Sequence, residues 1–187
     1  MRVVPIILAS CIGALAGLSA CSPDKAGRIL APEQYGMTCV SATICLEDTG
    51  RKAQAEALYA QAARTVQAQL VPFKAPPRML FCSTKACSAQ FGEDHSQALT
   101  LGTYGILIRE DGWHGYTLRH EMIHHLQAER FGIRATSYTL PKWYIEGMAY
   151  TLAGDPRQPL PRPELEDYRE AYKAWIAAGN TWSQPPK

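Results

Sequence analysis

The stretch RHEMIHH, residues 119–125, decides how the rest of this chain is interpreted, because it contains the pattern His-Glu-x-x-His. Residues four apart lie on the same face of a helix, so His120 and His124 can share one metal ion. Paired imidazoles of this kind bind zinc, and Glu121 between them is placed to act as a general base toward water at the metal. The opposite face of the same helix is apolar, which predicts that this side docks on a core.

The third imidazole of the stretch, His125, lies away from the arc that holds the other two. We therefore predict a surface or supporting histidine at this position instead of a metal ligand. The helix is expected to begin near Tyr116 or Thr117 and to stop at Gly132.

A catalytic zinc ion needs a third protein ligand and an open fourth position. A second predicted helix, PKWYIEGMAY over residues 141–150, supplies Glu146 for this purpose. Pro141 is a good first helical residue, and Gly154 begins a good stop. Gly147 in the helix interior costs about 1 kcal/mol relative to alanine, so we predict that it permits a close approach of the two helices.

His-Glu-x-x-His is followed 22 residues after its second histidine by the glutamate of Trp-x-x-Glu-Gly-x-Ala. The combination resembles the gluzincin metallopeptidases, the thermolysin and aminopeptidase type. The resemblance covers residues 104–152, and it implies Zn²⁺ as the cofactor, with His120, His124 and Glu146 as ligands and Glu121 as the general base. The metzincin pattern is excluded, because this chain has Gln127 where that family has glycine, and Arg130 where it has histidine.

The same resemblance implies a fold. It predicts an α+β, small zincin-like domain with a short mixed β-sheet, an active-site helix and a second helix that carries the glutamate ligand. Residues 104–109, the best strand pattern in the chain, resemble the gluzincin edge strand, which would hold an extended substrate by main-chain hydrogen bonds.

Two further residues support the reaction in gluzincins, and spacing does not identify either of them in this sequence. Gluzincins use a tyrosine or histidine outside the motif to hold the tetrahedral oxyanion, and Tyr138 and Tyr150 are candidates, with His114 a weaker one. The carboxylate that fixes a ligand histidine is not identified either, and Asp155 and Glu129 are both candidates.

The N-terminus resembles an export signal. Residues 1–20 combine one basic residue with an apolar run, as in a secretory signal peptide, and Leu-Ser-Ala-Cys ending at Cys21 resembles the bacterial lipobox. This implies a protein anchored by lipid at Cys21 in the bacterial periplasm, at the outer membrane, with a tether over 21–37 and a single metallopeptidase-like domain over 38–187. An ordinary signal peptide with an incidental cysteine is the alternative.

Four cysteines remain in the predicted domain, and an even number in an exported protein indicates disulfides. The two close pairs favour Cys39 with Cys45 and Cys82 with Cys87. A four-thiolate zinc site is the alternative, although neither pair has the C-x-x-C spacing of zinc ribbons.

The remaining pattern predicts a helix over 52–70, a short strand over 78–82, a short helix over 86–91 and a last helix carrying the stripe from Leu165 to Ile176. We expect the last helix only to pack.

The interpretation is a zinc-dependent peptidase of the cell envelope that acts on peptide or protein substrates. The alternative is an envelope lipoprotein that serves as a binding or assembly factor on a peptidase-like scaffold, and a zinc hydrolase of a non-peptide bond is a third possibility.

Loss of Arg2 with the signal peptide lowers the formal charge from +2 to +1, so nucleic acid is not an expected partner. A monomer is assumed.

Overall fold

The computed structural model describes residues 23–92 and 95–186, so the predicted signal peptide and Cys21 lie outside the described residues. Helices and strands alternate irregularly along the chain, as expected for an α+β domain. In order they are α1 (Pro23–Leu30), β1 (Thr38–Cys39), β2 (Ile44–Leu46), α2 (Lys52–Gln69), β3 (Met79–Phe81), α3 (Lys85–Gln90), β4 (Ala98–Leu101), β5 (Gly105–Ile108), α4 (Gly115–Phe131), α5 (Lys142–Leu152) and α6 (Pro163–Ala177). The predicted α+β class is confirmed.

The five strands of the described chain form one mixed, open sheet in the order β1-β2-β3-β5-β4. Strands β2, β3 and β5 are parallel, while β1 and β4 pair antiparallel at the two ends. The predicted strand β5 is therefore present but interior, and its expected role as the edge strand is wrong. The edge next to it is β4, which the sequence pattern did not indicate.

The sheet is buried on both faces, because successive side chains of a strand point to opposite sides. On one face Met79, Phe81 and Ile106 join α2, α4 and α5 in the larger core. On the other face Leu80 and Leu107 belong to a smaller core. Strands covered on both sides read as continuous apolar runs, as Met79–Phe81 and Gly105–Ile108 do.

The segment expected as a tether, 21–37, is folded in its described part. Residues 23–30 form α1, and a 3₁₀ turn follows at Pro32–Tyr35. Ile29 and Met37 are 2% and 4% exposed and pack in the smaller core. The tether prediction is wrong here because the second face of the sheet needs an apolar cover, and these residues provide it.

Both predicted disulfides are confirmed. Cys39–Cys45 joins the paired strands β1 and β2, and Cys82–Cys87 joins the end of β3 to α3. Disulfides persist in oxidising compartments, so the pair indicates an extracytoplasmic location. Within the described residues, no helix has the length and hydrophobicity needed to cross a bilayer.

Gly147 permits a close helix contact, but its neighbour is α6. A Cβ atom at this position would lie 2.2 Å from the main-chain oxygen of Tyr168 and 2.8 Å from Cβ of Tyr172. The aromatic rings of Tyr172 and Trp175 surround Tyr144 next to this contact. α6 therefore supports the helix that carries Glu146 from behind.

We expect Gly147→Ala to lower the free energy of unfolding by about 2 kcal/mol or more, because a backbone oxygen cannot move aside as a flexible side chain can. The gain in helix propensity of up to about 1 kcal/mol offsets only part of this cost. Urea unfolding measures the change. Gly27→Ala is the matched control, since nothing lies within 4 Å of its Cβ position, and its stability should be unchanged or slightly raised. Equal stability of the two variants would contradict the contact.

Candidate metal centre

Helices α4 and α5 bring three potential metal ligands together. The Nε2 atoms of His120 and His124 lie 3.0 Å apart, and Oε2 of Glu146 lies 3.6 Å from each of them. All three side chains are partly buried and line the same cleft. The predicted ligand set is therefore assembled at one point, one residue from each of three helical turns.

These separations suit one metal ion. Ligands at about 2.0–2.1 Å from a tetrahedral centre lie about 3.3 Å from one another, between the observed 3.0 and 3.6 Å. Imidazole nitrogen is a ligand of borderline softness and carboxylate oxygen is a hard one, and a divalent transition metal accepts both. The three residues can thus hold a metal ion.

The electrostatics of the site favour a positive charge at the same point. Burial lowers the pKa of His124, but the carboxylate of Glu146 outweighs it and raises the pKa to about 9. Burial alone would raise the pKa of Glu146, yet His124 and His120 hold it well below its usual range. A metal ion would replace the proton of His124 and keep the charge of Glu146 compensated.

Glu121 is held against the edge strand. Its side chain is 7% exposed, and the hydroxyl of Thr100 in β4 lies 2.7 Å from its Oε2 atom and 3.0 Å from its main-chain oxygen. The Thr100 hydroxyl donates this hydrogen bond, because an ionised carboxylate can only accept. Sequence reasoning missed Thr100, because the strand that carries it was not predicted.

Neither carboxylate proposed to fix a ligand histidine does so by a hydrogen bond among the described residues. Asp155 binds Arg157, with its Oδ1 and Oδ2 atoms 2.9 and 3.1 Å from Nε. Glu129 accepts from the main-chain N–H groups of Lys74 and Ala75. The partner of His124 Nδ1 is instead Oε1 of Gln127, at 2.8 Å.

His125 is not a surface residue. It is 2% exposed, its Nε2 atom lies 3.0 Å from the main-chain oxygen of Ala75, and Glu129 lies 3.3 Å away. The His125 ring also makes an edge contact with the ring of Phe73. It is outside the ligand group, as predicted, but its role is to hold the loop before β3 against α4.

Of the candidates for the oxyanion position, only Tyr150 lines the cleft. Its ring lies 4.4 Å from that of His120 in an edge contact. Burial, followed by the nearby Glu146 carboxylate, raises the pKa of Tyr150 to about 12, so the hydroxyl keeps its proton. Tyr138 is 64% exposed and does not line the cleft, although its neighbours Thr136 and Ser137 do. His114 is exposed and stacks on Tyr116.

The ligand group lies in a cleft of about 930 Å³. One wall is the edge strand β4, through Ala98, Leu99 and Thr100, and the floor is α4. The loop after α5 and the start of α6 also line the cleft, the latter through Glu164, Leu165 and Tyr168. The last helix therefore does more than pack, which corrects the sequence-based expectation.

Arg119 ties the two ligand-bearing helices at this end. Its Nε atom donates to the main-chain oxygen of Ala153, at the end of α5, over 2.6 Å. Partial burial lowers the pKa of Arg119. A charged donor at a helix C-terminus also interacts favourably with the helix dipole.

A second cluster of potential ligands, Glu47 with Cys82 and Cys87, does not form a comparable site. The two sulfur atoms are joined in a disulfide and offer no thiolate. Glu47 accepts from the main-chain N–H groups of Ser83 and Thr84, which secures the turn before α3.

No family model, curated protein or solved structure matches this chain in comparisons of sequence and structure. The candidate site is therefore defined by the geometry of its own residues.

We expect Glu146→Ala to weaken Zn²⁺ binding by more than about 100-fold, because loss of an outer partner alone typically costs about 10–100-fold. Competition with a chromogenic chelator measures the affinity. Glu164→Ala is the matched control, since this carboxylate lines the same cleft but pairs with Arg162. Unchanged affinity in Glu146→Ala would remove Glu146 from the ligand set.

Proposed function

We propose that this protein is a zinc-dependent peptidase of the cell envelope. The observation that carries the proposal is the convergence of His120, His124 and Glu146 at one point, with Glu121 beside them on the cleft wall. Two histidines, one glutamate and an open position make up a common set of catalytic zinc ligands. The paired motifs that resemble gluzincins support the same conclusion.

The bound metal would lower the pKa of a water molecule and polarise the substrate carbonyl. Glu121 would take a proton from a water molecule as the water oxygen adds to the carbonyl carbon. It then passes the proton to the departing amine nitrogen as the C–N bond breaks. Thr100 holds the Glu121 carboxylate in place for both transfers.

The edge strand β4 is suited to bind the substrate. Within the described sheet it pairs with β5 on one side only, and Ala98, Leu99 and Thr100 face the cleft on the other. An extended peptide can add to such an edge through main-chain hydrogen bonds, which depend little on side-chain identity. We therefore assign to β4 the substrate role that the family resemblance implies for β5.

Tyr150 is our candidate for the oxyanion. It lines the cleft beside His120, and its protonated hydroxyl can donate a hydrogen bond to the negative oxygen that forms at the carbonyl carbon. Tyr138, the other sequence-based candidate, points to solvent.

The two disulfides support an extracytoplasmic site of action. We propose the bacterial periplasm, with a lipid on Cys21 that anchors the protein to the outer membrane. α1 begins at Pro23, so an anchor at Cys21 would hold the domain close to the membrane surface.

Glu121→Gln tests the proposed reaction. We expect the variant to keep stoichiometric zinc and to lose hydrolysis by about 10²–10⁴-fold, because an amide cannot take the proton. A peptide-library digest with zinc-loaded wild-type protein first supplies a cleaved sequence, and the rate for that peptide is then compared between the two proteins. A variant that cuts at the wild-type rate would remove Glu121 as the base.

The same digest distinguishes a peptidase from the second candidate function. Stoichiometric zinc in the wild-type protein with no cleavage of any library peptide would favour a binding or assembly factor on a peptidase-like scaffold.

Tyr150→Phe should lower kcat by about 10²–10³-fold, as removal of one oxyanion donor does elsewhere, while zinc affinity stays unchanged. Steady-state kinetics and chelator competition measure the two quantities. Tyr138→Phe is the matched control, and its kcat should stay within about twofold of wild type because the side chain lies outside the cleft. Equal kcat values for the two variants would exclude Tyr150 from this role.

A further inference from the structure

Gln127 joins the two helices that carry the metal ligands. It lies on α4, its side chain is 0% exposed, and both ends of its amide have partners. Oε1 lies 2.8 Å from Nδ1 of His124, and Nε2 donates to the main-chain oxygen of Ile145 over 3.0 Å. Ile145 directly precedes Glu146 on α5. One buried side chain thus contacts a ligand on one helix and the backbone beside a ligand on the other.

The two contacts of Gln127 determine which nitrogen of His124 faces the metal position. The main-chain oxygen of Ile145 can only accept, so the NH₂ end of the amide must face it and Oε1 must face His124. Oε1 also only accepts, so Nδ1 of a coordinating His124 carries the hydrogen and Nε2 carries the lone pair. Nε2 is the atom that lies 3.0 Å from His120 Nε2 and 3.6 Å from Glu146.

We propose that Gln127 is the positioning residue of this metal site, orienting His124 through its oxygen and Glu146 through its nitrogen. The inference rests on the proposed metal-dependent function and deepens it. Both ends of the Gln127 amide are engaged away from the metal position, one on Nδ1 of His124 and the other on the backbone of α5. Gln127 acts through the ring orientation of His124 and through the separation between α4 and the first turn of α5.

A glutamine can perform both tasks where a carboxylate cannot. A glutamate at 127 would still accept from His124 Nδ1, but it would place an oxygen against the main-chain oxygen of Ile145 with no hydrogen between them. It would also bury a further negative charge in a site that already holds the carboxylates of Glu121 and Glu146. The neutral amide therefore suits a position between a histidine ring and a helical carbonyl.

Two substitutions of Gln127 distinguish its contact with His124 from its contact with Ile145. Gln127→Met keeps the length and removes both hydrogen bonds, while Gln127→Glu keeps only the acceptor for His124. Ile123→Val is the control for general loss of packing on α4, because Ile123 is fully buried in the larger core and is not part of the metal site. All variants are made in the full chain.

Zinc affinity is measured by chelator competition, and the stability of the metal-free protein by the midpoint of urea unfolding. We expect Gln127→Met to weaken zinc binding by about 10–100-fold, and Gln127→Glu to bind zinc more tightly than Gln127→Met. Ile123→Val should lower the urea midpoint and leave zinc affinity within about twofold of wild type.

Wild-type affinity in Gln127→Met would overturn the proposal while leaving the metal site intact. A loss of affinity in Ile123→Val as large as that in Gln127→Met would also overturn it, because the effect would then be one of stability alone. Equal affinity of Gln127→Glu and Gln127→Met would remove the contact with His124 from the proposal. A wild-type protein that binds no zinc would remove the site itself, and so the proposed function.

Discussion

Glu146 lies 3.6 Å from the Nε2 atoms of both His120 and His124, and this contact exists only because helix α5 is held against α4. Three features hold it there. Gln127 binds the backbone of α5 near its start, Arg119 binds the main-chain oxygen of Ala153 at its end, and α6 packs against Gly147 from behind. A carboxylate at this depth is stable because the two imidazoles compensate its charge, and a metal ion would do so as well.

The cleft depends on the sheet as much as on the helices. Because β4 turns back antiparallel beside β5, its Thr100 reaches the carboxylate of Glu121, and its outer edge faces the ligand group. The other face of the same sheet is covered by α1, through Ile29. The strand that lines the cleft is thus one edge of a sheet whose two faces are both buried, which makes it a rigid support for the residues of the site.

Local patterns predicted the elements well and their neighbours poorly. The periodicity of α4 and α5, the strand pattern of β5 and the two cysteine pairs each depend on residues close in the chain. By contrast, the family resemblance predicts an edge position for β5, which is interior in the sheet. Strand order is not a local property, so the strand pattern itself could not correct this. The segment with Ile29 has the composition of a tether, because its few apolar residues gain their burial only when the second face of the sheet forms.

The sequence by itself indicated the three candidate metal ligands, and it placed His120 and His124 together because helical geometry puts residues four apart on one face. It also favoured the two disulfide pairs that the structure contains. Only the tertiary structure decided what supports the ligands. The partner of His124 Nδ1 is Gln127 and not a carboxylate, and the partner of the Glu121 carboxylate is Thr100. Tyr150 is in the cleft while Tyr138 is not. These assignments depend on how separate elements approach one another, which no single stretch of sequence encodes.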